Sequence, residues 1–291
     1  MDSIIGRIQE AYGKFSKGQK RIADYIVNSY DDAAFMTAAK LGEATGVSES
    51  TVVRFAYSLG YSGYPEMQNA LQELIRHRLT SAQRIRLVEG IEQDDVPRQV
   101  LTADINNIRA TIDMIDSEVF AKTVAELLAA ERIYVLGAGS AAPLAQFFAN
   151  YLGYICDDVL LVGGSEQEVY ERMLRISSGD VCIGITFPRY SARTVQGMRY
   201  AKEHGAKLIA ISDLANSPAA KISDYVLLAR SDMASFADSL TAPLSLINAI
   251  LVSVAIKRKD ETYRHLIQLE RIWSREGVYI SEAGAGRQDE E

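Results

Sequence analysis

Residues 37–60 read TAAKLGEATGVSESTVVRFAYSLG, and this stretch decides the fold of the N-terminal region. It has the spacing of a helix, a tight turn and a second helix, the arrangement of a DNA-reading helix-turn-helix. Gly46 stands where the first helix must stop and the backbone needs positive φ. Ser48 is expected to cap the second helix, with Glu49 at the positive end of its dipole and Gly60 closing it. At about 100° per residue, Val52, Phe55, Ala56 and Leu59 share one side, and Val47 and Leu41 can pack with them. Gly42 is small where the two helices cross. The other side carries Ser50, Val53, Arg54 and Tyr57, with Thr51 at its margin. Arg54 can fork onto guanine or grip phosphate, Ser50 can bond a base edge or a phosphate, and Val53 can meet a thymine methyl.

Helix pairs also occur as plain packing units, and a helical module that docks protein is a competing reading. The cap, the small residue at the crossing and the polar outer face favour DNA. The charge balance limits the affinity of one copy. Residues 1–79 hold nine Lys/Arg and nine Asp/Glu, so the net charge of −7 lies entirely in residues 80–291. Within the neutral region, Lys14, Lys17, Lys20 and Arg21 cluster at the start of a helix. Lys17, Lys20 and Arg21 there are expected to touch phosphates beside the reading helix. A neutral reader calls for a dimer or larger assembly to grip an operator tightly.

The 291 residues are enough for two domains, and 48% are hydrophobic, enough for sizeable cores. No apolar run reaches the roughly 18 residues of a membrane span, and no signal-peptide pattern opens the chain, so a cytoplasmic protein is expected. Cys156 and Cys182 have neither metal-ligand nor CxxC spacing and read as small core residues.

The first domain, residues 1–79, reads as all-helical, with Ile4, Ile5, Ile8 and Ile22, Tyr25, Ile26 at helical spacing and Pro65 opening a last helix that runs to about 79. Residues 80–98 are polar, broken most clearly by EGIEQDDVP, and lead through a connecting helix at about 97–113. Residues 80–115 thus form the linker and connecting helix. A further helix from Asp116–Ser117 opens the second domain, residues 116–281. From residue 132 short apolar runs alternate with helices: 133–136, 159–162, 181–187, 207–211 and 225–228, separated by helical stretches at 141–154, 166–175, 192–204 and 217–222. Helices at about 241–257 and 260–275 follow. Such runs with helical crossovers imply a five-stranded parallel sheet covered on both faces. Residues 282–291 read as a disordered tail.

Ligands of such sheets bind beyond the carboxyl ends of the strands. Those ends read GAGS (137–140), GGS (163–165), PRYSART (188–194) and SDLANS (212–217), rich in hydroxyls and glycine and nearly free of carboxylates. Gly137 and Gly139 let the backbone turn tightly onto a helix N-terminus, an anion site. Ser140, Ser191 and Thr194 can donate to phosphate oxygens, and Arg189 and Arg193 add charge. With Tyr190 and Ser212 they make a candidate site for a neutral-to-anionic, hydroxyl-rich effector such as a sugar phosphate. A dinucleotide would want an acid at the end of the second strand, where Gly163–Gly164 stand instead. No cofactor or metal is expected.

An isomerase is the alternative reading, and it needs a positioned base. His77 lies in the N-terminal domain. His204 precedes the fourth strand, on the face opposite the ligand, and reads as a helix end before a glycine cap. His265, Glu166 and Glu168 remain open as candidates, but no base–acid pair converges on the strand ends. The pocket reads as one for binding rather than catalysis.

Two segments resemble one family. LGEATGVSESTVVRFAYSLGYSGYPEMQNAL resembles the N-terminal domain of the RpiR-type bacterial transcriptional regulators. VLGAGSAAPLAQ through ITFPRYSARTVQGMRYAKEHGAKLIAISDLANSPAAKISDYVL resembles the SIS (sugar isomerase) phosphosugar-binding domain that follows it in that family. The resemblance implies an all-α helix-turn-helix domain followed by a flavodoxin-like α/β domain. It also implies a dimeric or tetrameric regulator of sugar or carbohydrate-derivative metabolism that binds double-stranded operator DNA and senses a phosphorylated sugar or related metabolite. By the same resemblance Ser140 occupies the position that contacts the sugar, and Ser191 and Thr194 keep the spacing of a phosphate-holding Ser-Gly-x-Ser/Thr loop. Ala192 replaces the glycine of that loop, and Pro188–Arg189–Tyr190 enlarge it.

Overall fold

A computed structural model describes residues 4–75, 93–233 and 237–280. The chain divides into two compact units near Val100.

The N-terminal unit is helical. Its elements are α1 (Ile4–Ala11), α2 (Lys17–Asn28), the single turn α3 (Tyr30–Ala33), α4 (Ala38–Thr45), α5 (Glu49–Ser58) and α6 (Tyr64–Ile75). Ile8, Ile22, Ile26, Leu41, Val52, Phe55, Met67 and Leu71 are buried together at the centre. α2 starts on a capping box, in which Ser16 and Gln19 satisfy each other's backbone N–H groups. α4 ends on Gly46 at φ 64°, as the sequence predicts. At Gly42 an added Cβ would lie 2.8 Å from the Val47 carbonyl oxygen, so the crossing of α4 and α5 admits no side chain there.

Ser48 departs from expectation. It has the extended backbone of an N-cap, but its hydroxyl makes no cap bond. It lies instead 3.0 Å from Ser50 Oγ and 2.9 Å from Thr51 Oγ1. A hydroxyl two or three residues on competes directly for the oxygen that would otherwise accept a backbone N–H. The predicted end of α6 at about 79 and the linker up to residue 92 lie outside the described residues, as does His77.

The second unit contains α7 (Val96–Met114), apart from its first turn, and α8 (Ser117–Ala129), which Asp116 caps through the N–H groups of Glu118 and Val119. Strands and helices then alternate: β1 (Ile133–Gly137), α9 (Ala142–Leu152), β2 (Val159–Val162), α10 (Glu166–Met173), β3 (Val181–Ile185), α11 (Ala192–Glu203), β4 (Lys207–Ser212) and β5 (Tyr225–Leu228). α12 (Thr241–Lys257) and α13 (Lys259–Glu276) follow. The sheet is all parallel, in the order β2-β1-β3-β4-β5. Alternate residues of each strand feed opposite cores. Val135, Ile183 and Ile209 pack with residues of α8, α9 and α12, while Tyr134, Leu136, Cys182 and Leu208 pack with residues of α10 and α11.

Two boundaries differ from the sequence reading. The helix expected at 217–222 is one 3-10 turn, Ala220–Ile222, because Pro218 and the short connection to β5 leave no room for more. β3 ends at Ile185 rather than 187, although Thr186 N still donates to Ile211 O. Both cysteines are buried and free, and burial pushes the Cys182 thiol up. No single helix among the described residues is long and apolar enough to cross a membrane. The tail predicted for 282–291 lies outside the described residues.

Candidate DNA-reading surface and effector cleft

α5 turns the predicted face outward. Ser48, Glu49, Ser50, Arg54 and Tyr57 are exposed, Thr51 and Val53 half-buried, and Tyr57 keeps 57% of its surface open. Arg54 Nε donates to Ser50 O at 3.3 Å, which lays its guanidinium back along the start of the helix. A polar hollow lies between the starts of α2 and α5, lined by Ser16, Gly18, Gln19, Arg21, Val47, Ser48, Thr51 and Arg54. It brings Arg21 and Arg54 together at two helix N-termini, where positive ends of dipoles add to two guanidinium charges. Lys17 is exposed in the first turn of α2. Lys20 is turned toward Tyr12, with Nζ 5.3 Å from the ring centroid, and so stands apart from the hollow.

In the second unit a cleft of about 600 Å3, counting its open mouth, lies beyond β1 and β2. Gly137, Ala138, Gly139, Gln146, Gly163, Gly164, Arg193 and Thr194 are among its lining residues. Gly139 and Gly164 have φ of 63° and 95°, and the two turns open the strand ends. At Gly137 an added Cβ would lie 2.7 Å from Ala145 Cβ, so only glycine lets β1 meet α9 here. Arg193 Nη1 donates to the Gly164 carbonyl and ties α11 to the loop after β2. Thr194 is 2% exposed, and its Oγ1 has no hydrogen-bond partner. A buried hydroxyl left unmatched in a cleft wall costs free energy and calls for an explanation, of which an arriving acceptor is one.

The expected effector residues divide. Gly139, Arg193 and Thr194 line the cleft. Ser140 and Arg189 are exposed on neighbouring strand-end loops outside that lining. Ser191 caps α11, its Oγ accepting from Thr194 N at 3.2 Å while its own N–H donates to Thr186 Oγ1 at 3.2 Å. Tyr190 donates its hydroxyl to Asp213 Oδ1 at 2.9 Å, and burial, with the nearby Asp213 charge, raises its pKa. Ser212 is fully buried, its hydroxyl donates to Thr186 O at 2.9 Å, and it is not among the residues lining the cleft.

Gln146 and Asp213 were missed by the reading of strand ends. Gln146 lies one turn into α9 from Ala142, both of them in the cleft wall, a spacing that helical periodicity could have revealed. Asp213 follows directly on β4 and is the buried carboxylate among these hydroxyl-rich loops. No histidine or carboxylate is among the described residues lining the cleft. Glu168 is held in a capping box with Ser165, and Glu166 is exposed in the same first turn. His204 Nδ1 lies 2.8 Å from Tyr200 O at the end of α11, next to Gly205 at φ 84°. His265 is half-buried on α13.

Comparison with known proteins matches residues 3–77 to the helix-turn-helix domain of the rpiR family and residues 126–253 to the SIS domain. An uncharacterized HTH-type transcriptional regulator of Haemophilus influenzae is 28% identical over 232 residues, which are 78% of this chain and 79% of its own. The HTH-type transcriptional regulator HexR of Pseudomonas aeruginosa is 24% identical over 285 residues, 93% of this chain and 95% of its own. Among solved structures, the sugar isomerase domain of an RpiR transcription factor from Sphaerobacter thermophilus is similar at TM-score 0.58 and 26% identity, over 61% of this chain and 99% of its own. The Vibrio vulnificus NanR protein, complexed with ManNAc-6P, shares the fold at TM-score 0.59 and 20% identity, over 96% of this chain and all of its own (100%).

Proposed function

The chain belongs to the RpiR-type transcriptional regulators that join a helix-turn-helix domain to a SIS domain, and from that premise we propose how it senses and reads. It is a DNA-binding regulator, not an isomerase. α5 enters the major groove of operator DNA with Ser50, Val53, Arg54 and Tyr57 toward the bases. Ser48, Glu49 and Thr51 border that face. Lys17, Lys20 and Arg21 of α2 hold the flanking phosphates. Residues 1–79 are the reader, 80–115 the connection and 116–281 the sensor. The chain works in the cytoplasm as a homodimer or homotetramer, because a neutral reader gains affinity by engaging two half-sites at once.

The effector is a phosphorylated sugar or related metabolite. It lies in the strand-end cleft with its phosphate toward Thr194, Arg193 and the start of α11, and its hydroxyls toward Gly139 and Ser140. The observation that carries this reading is the unmatched, buried Thr194 hydroxyl beside a guanidinium at a helix N-terminus. That the related NanR protein is complexed with ManNAc-6P supports the same class of ligand. Effector binding shifts the population of two arrangements of the assembly and thereby the spacing of paired α5 helices.

Two measurements test this together. Fluorescence anisotropy with DNA from upstream of the chain's own gene should give binding that weakens steeply with salt and drops strongly in Arg54→Ala. A thermal-shift screen over phosphorylated sugars should find one that raises the melting temperature and changes the DNA affinity. Operator affinity unchanged by Arg54→Ala would remove α5 as the reader. A screen in which only unphosphorylated ligands stabilise the chain would remove the phosphate from the effector.

A further inference from the structure

α9 carries two amides on one face. It reads APLAQFFANYL, and Gln146 and Asn150 are its polar residues besides Tyr151. Ala142, Gln146 and Asn150 follow one another at i, i+4 spacing and so lie along one side of the helix. Ala142 and Gln146 line the strand-end cleft. Gln146 Nε2 donates to Asn150 Oδ1 at 2.6 Å. That bond uses one N–H of the Gln146 amide and leaves its second N–H and its carbonyl oxygen. The polar groups of the cleft therefore differ in kind. Arg193 has donors only, and the buried Thr194 hydroxyl is unmatched. Gln146 has a donor and an acceptor in one plane. Leu136, Leu161, Val162 and Val169 bring apolar surface to the same cleft. A phosphate calls for donors, a hydroxyl is both donor and acceptor, and a sugar ring has apolar C–H faces.

We propose that Gln146 reads the configuration of the effector's hydroxyls, and that Asn150 is the positioning residue that holds its amide. The proposal rests on the sugar-phosphate reading above and assigns the sugar end of that site. An i, i+4 amide bond is an ordinary contact on a helix surface. Here one end of it lies in a cleft wall, so the bond fixes which way a donor and an acceptor face. An amide fixed in this way matches a hydroxyl, or two adjacent hydroxyls, in one arrangement. Inverting one carbon of the sugar moves the hydroxyl and leaves the amide unmatched, which is how a polar site rejects a near-isomer. Neither amide titrates near neutral pH, so the pair binds hydroxyls and abstracts no proton.

Isothermal titration calorimetry on the full chain tests it. The probes are inorganic phosphate, the 6-phosphates of glucose, mannose, allose and galactose, and those of N-acetylglucosamine and N-acetylmannosamine. Each of the other hexoses differs from glucose at one carbon, and the two N-acetyl sugars differ from each other at one. The wild type should prefer one member of an epimeric pair by about fivefold to tenfold, the strength of one hydrogen bond. Gln146→Leu and Gln146→Ala should bind both members alike. Asn150→Leu should narrow the preference part of the way. Gln167→Leu removes a similar i, i+4 bond, to Glu171 on α10 and outside the cleft lining, and should keep the preference. A Gln146→Leu chain with the wild-type preference overturns the proposal. So does a wild type that binds every sugar phosphate no better than inorganic phosphate; either result leaves the cleft standing as a phosphate site. A wild type that binds neither inorganic phosphate nor any of the sugar phosphates removes the phosphate reading of the cleft, and the role of Gln146 with it.

Discussion

The Tyr190 hydroxyl donates to Asp213 Oδ1 at 2.9 Å, joining the loop after β3 to the end of β4. Ser212 Oγ lies 3.3 Å from the same oxygen. The Pro188–Arg189–Tyr190 enlargement is therefore anchored to a carboxylate that is only 6% exposed. Tyr190→Phe removes a donor from that buried acid and should destabilise the chain by about 1–3 kcal/mol. Urea unfolding checks this through a lower midpoint at unchanged slope. An unmoved midpoint would mean that the contact is not used for stability.

The two helices of the reader meet at Gly42, and the sign of a methyl there follows from its neighbours. An added Cβ would sit 2.8 Å from Val47 O and 3.3 Å from Glu49 N, both backbone atoms of the turn. Gly42→Ala gains about 1 kcal/mol of helix propensity and loses more than that to overpacking, typically 1–3 kcal/mol. It should lower the melting temperature and, by spreading α4 from α5, weaken operator binding. Gly13→Ala, where nothing lies within 4 Å, should leave operator binding unchanged and the melting temperature the same or slightly higher. Differential scanning calorimetry of the two variants, with anisotropy on DNA, separates the outcomes.

Burial raises the Tyr64 phenol from its ordinary 10.0 to about 12. Its hydroxyl donates to Met36 O at 2.6 Å. Because the folded pKa is raised, the folded chain keeps a proton that the unfolded chain gives up above pH 10. The stabilisation is complete below that value and is lost as pH rises toward 12. Unfolding there should become easier by about 1.4 kcal/mol per pH unit. In Tyr64→Phe this part of the alkaline slope should vanish while the neutral-pH stability falls by the lost hydrogen bond. Urea titrations at a series of alkaline pH values provide the comparison; identical slopes in the two chains would rule out Tyr64 as the titrating group.

Local chemistry made much of this fold legible in the sequence. Gly46 and the 52–55–56–59 periodicity fix the helix-turn-helix because a left-handed cap and an apolar stripe each have few alternatives. The five parallel strands were readable because their residues are apolar on both faces. What the sequence did not carry is set by relationships between distant segments. Ser48 looked like a cap until Ser50 and Thr51 competed for its hydroxyl. Ser212 stands at a strand end, yet its hydroxyl donates to the Thr186 carbonyl, 26 residues earlier. Asp213 carries no local signal of its role, because its partner Tyr190 lies in another loop. The 217–222 segment has helical composition yet yields one turn, because the geometry of the β4–β5 crossover outweighs propensity.

Thr194 gives the cleft its clearest test, because stability and binding should move in opposite directions. Its Oγ1 is buried without a partner in the wall that Gly139, Gly164 and Arg193 complete. An unmatched buried hydroxyl costs the empty chain free energy, and an apolar group of the same shape removes that cost. Thr194→Val should therefore melt at the same temperature as the wild type or slightly higher, worth up to about 1 kcal/mol. The hydroxyl is also the donor proposed for the effector phosphate. The thermal shift produced by the stabilising sugar phosphate should shrink, by about 1.4 kcal/mol for each tenfold loss of affinity. Thr194→Ser keeps the donor and should retain most of the shift. A Thr194→Val chain that melts lower and still responds fully to the sugar phosphate would show that the hydroxyl serves the fold and not the ligand.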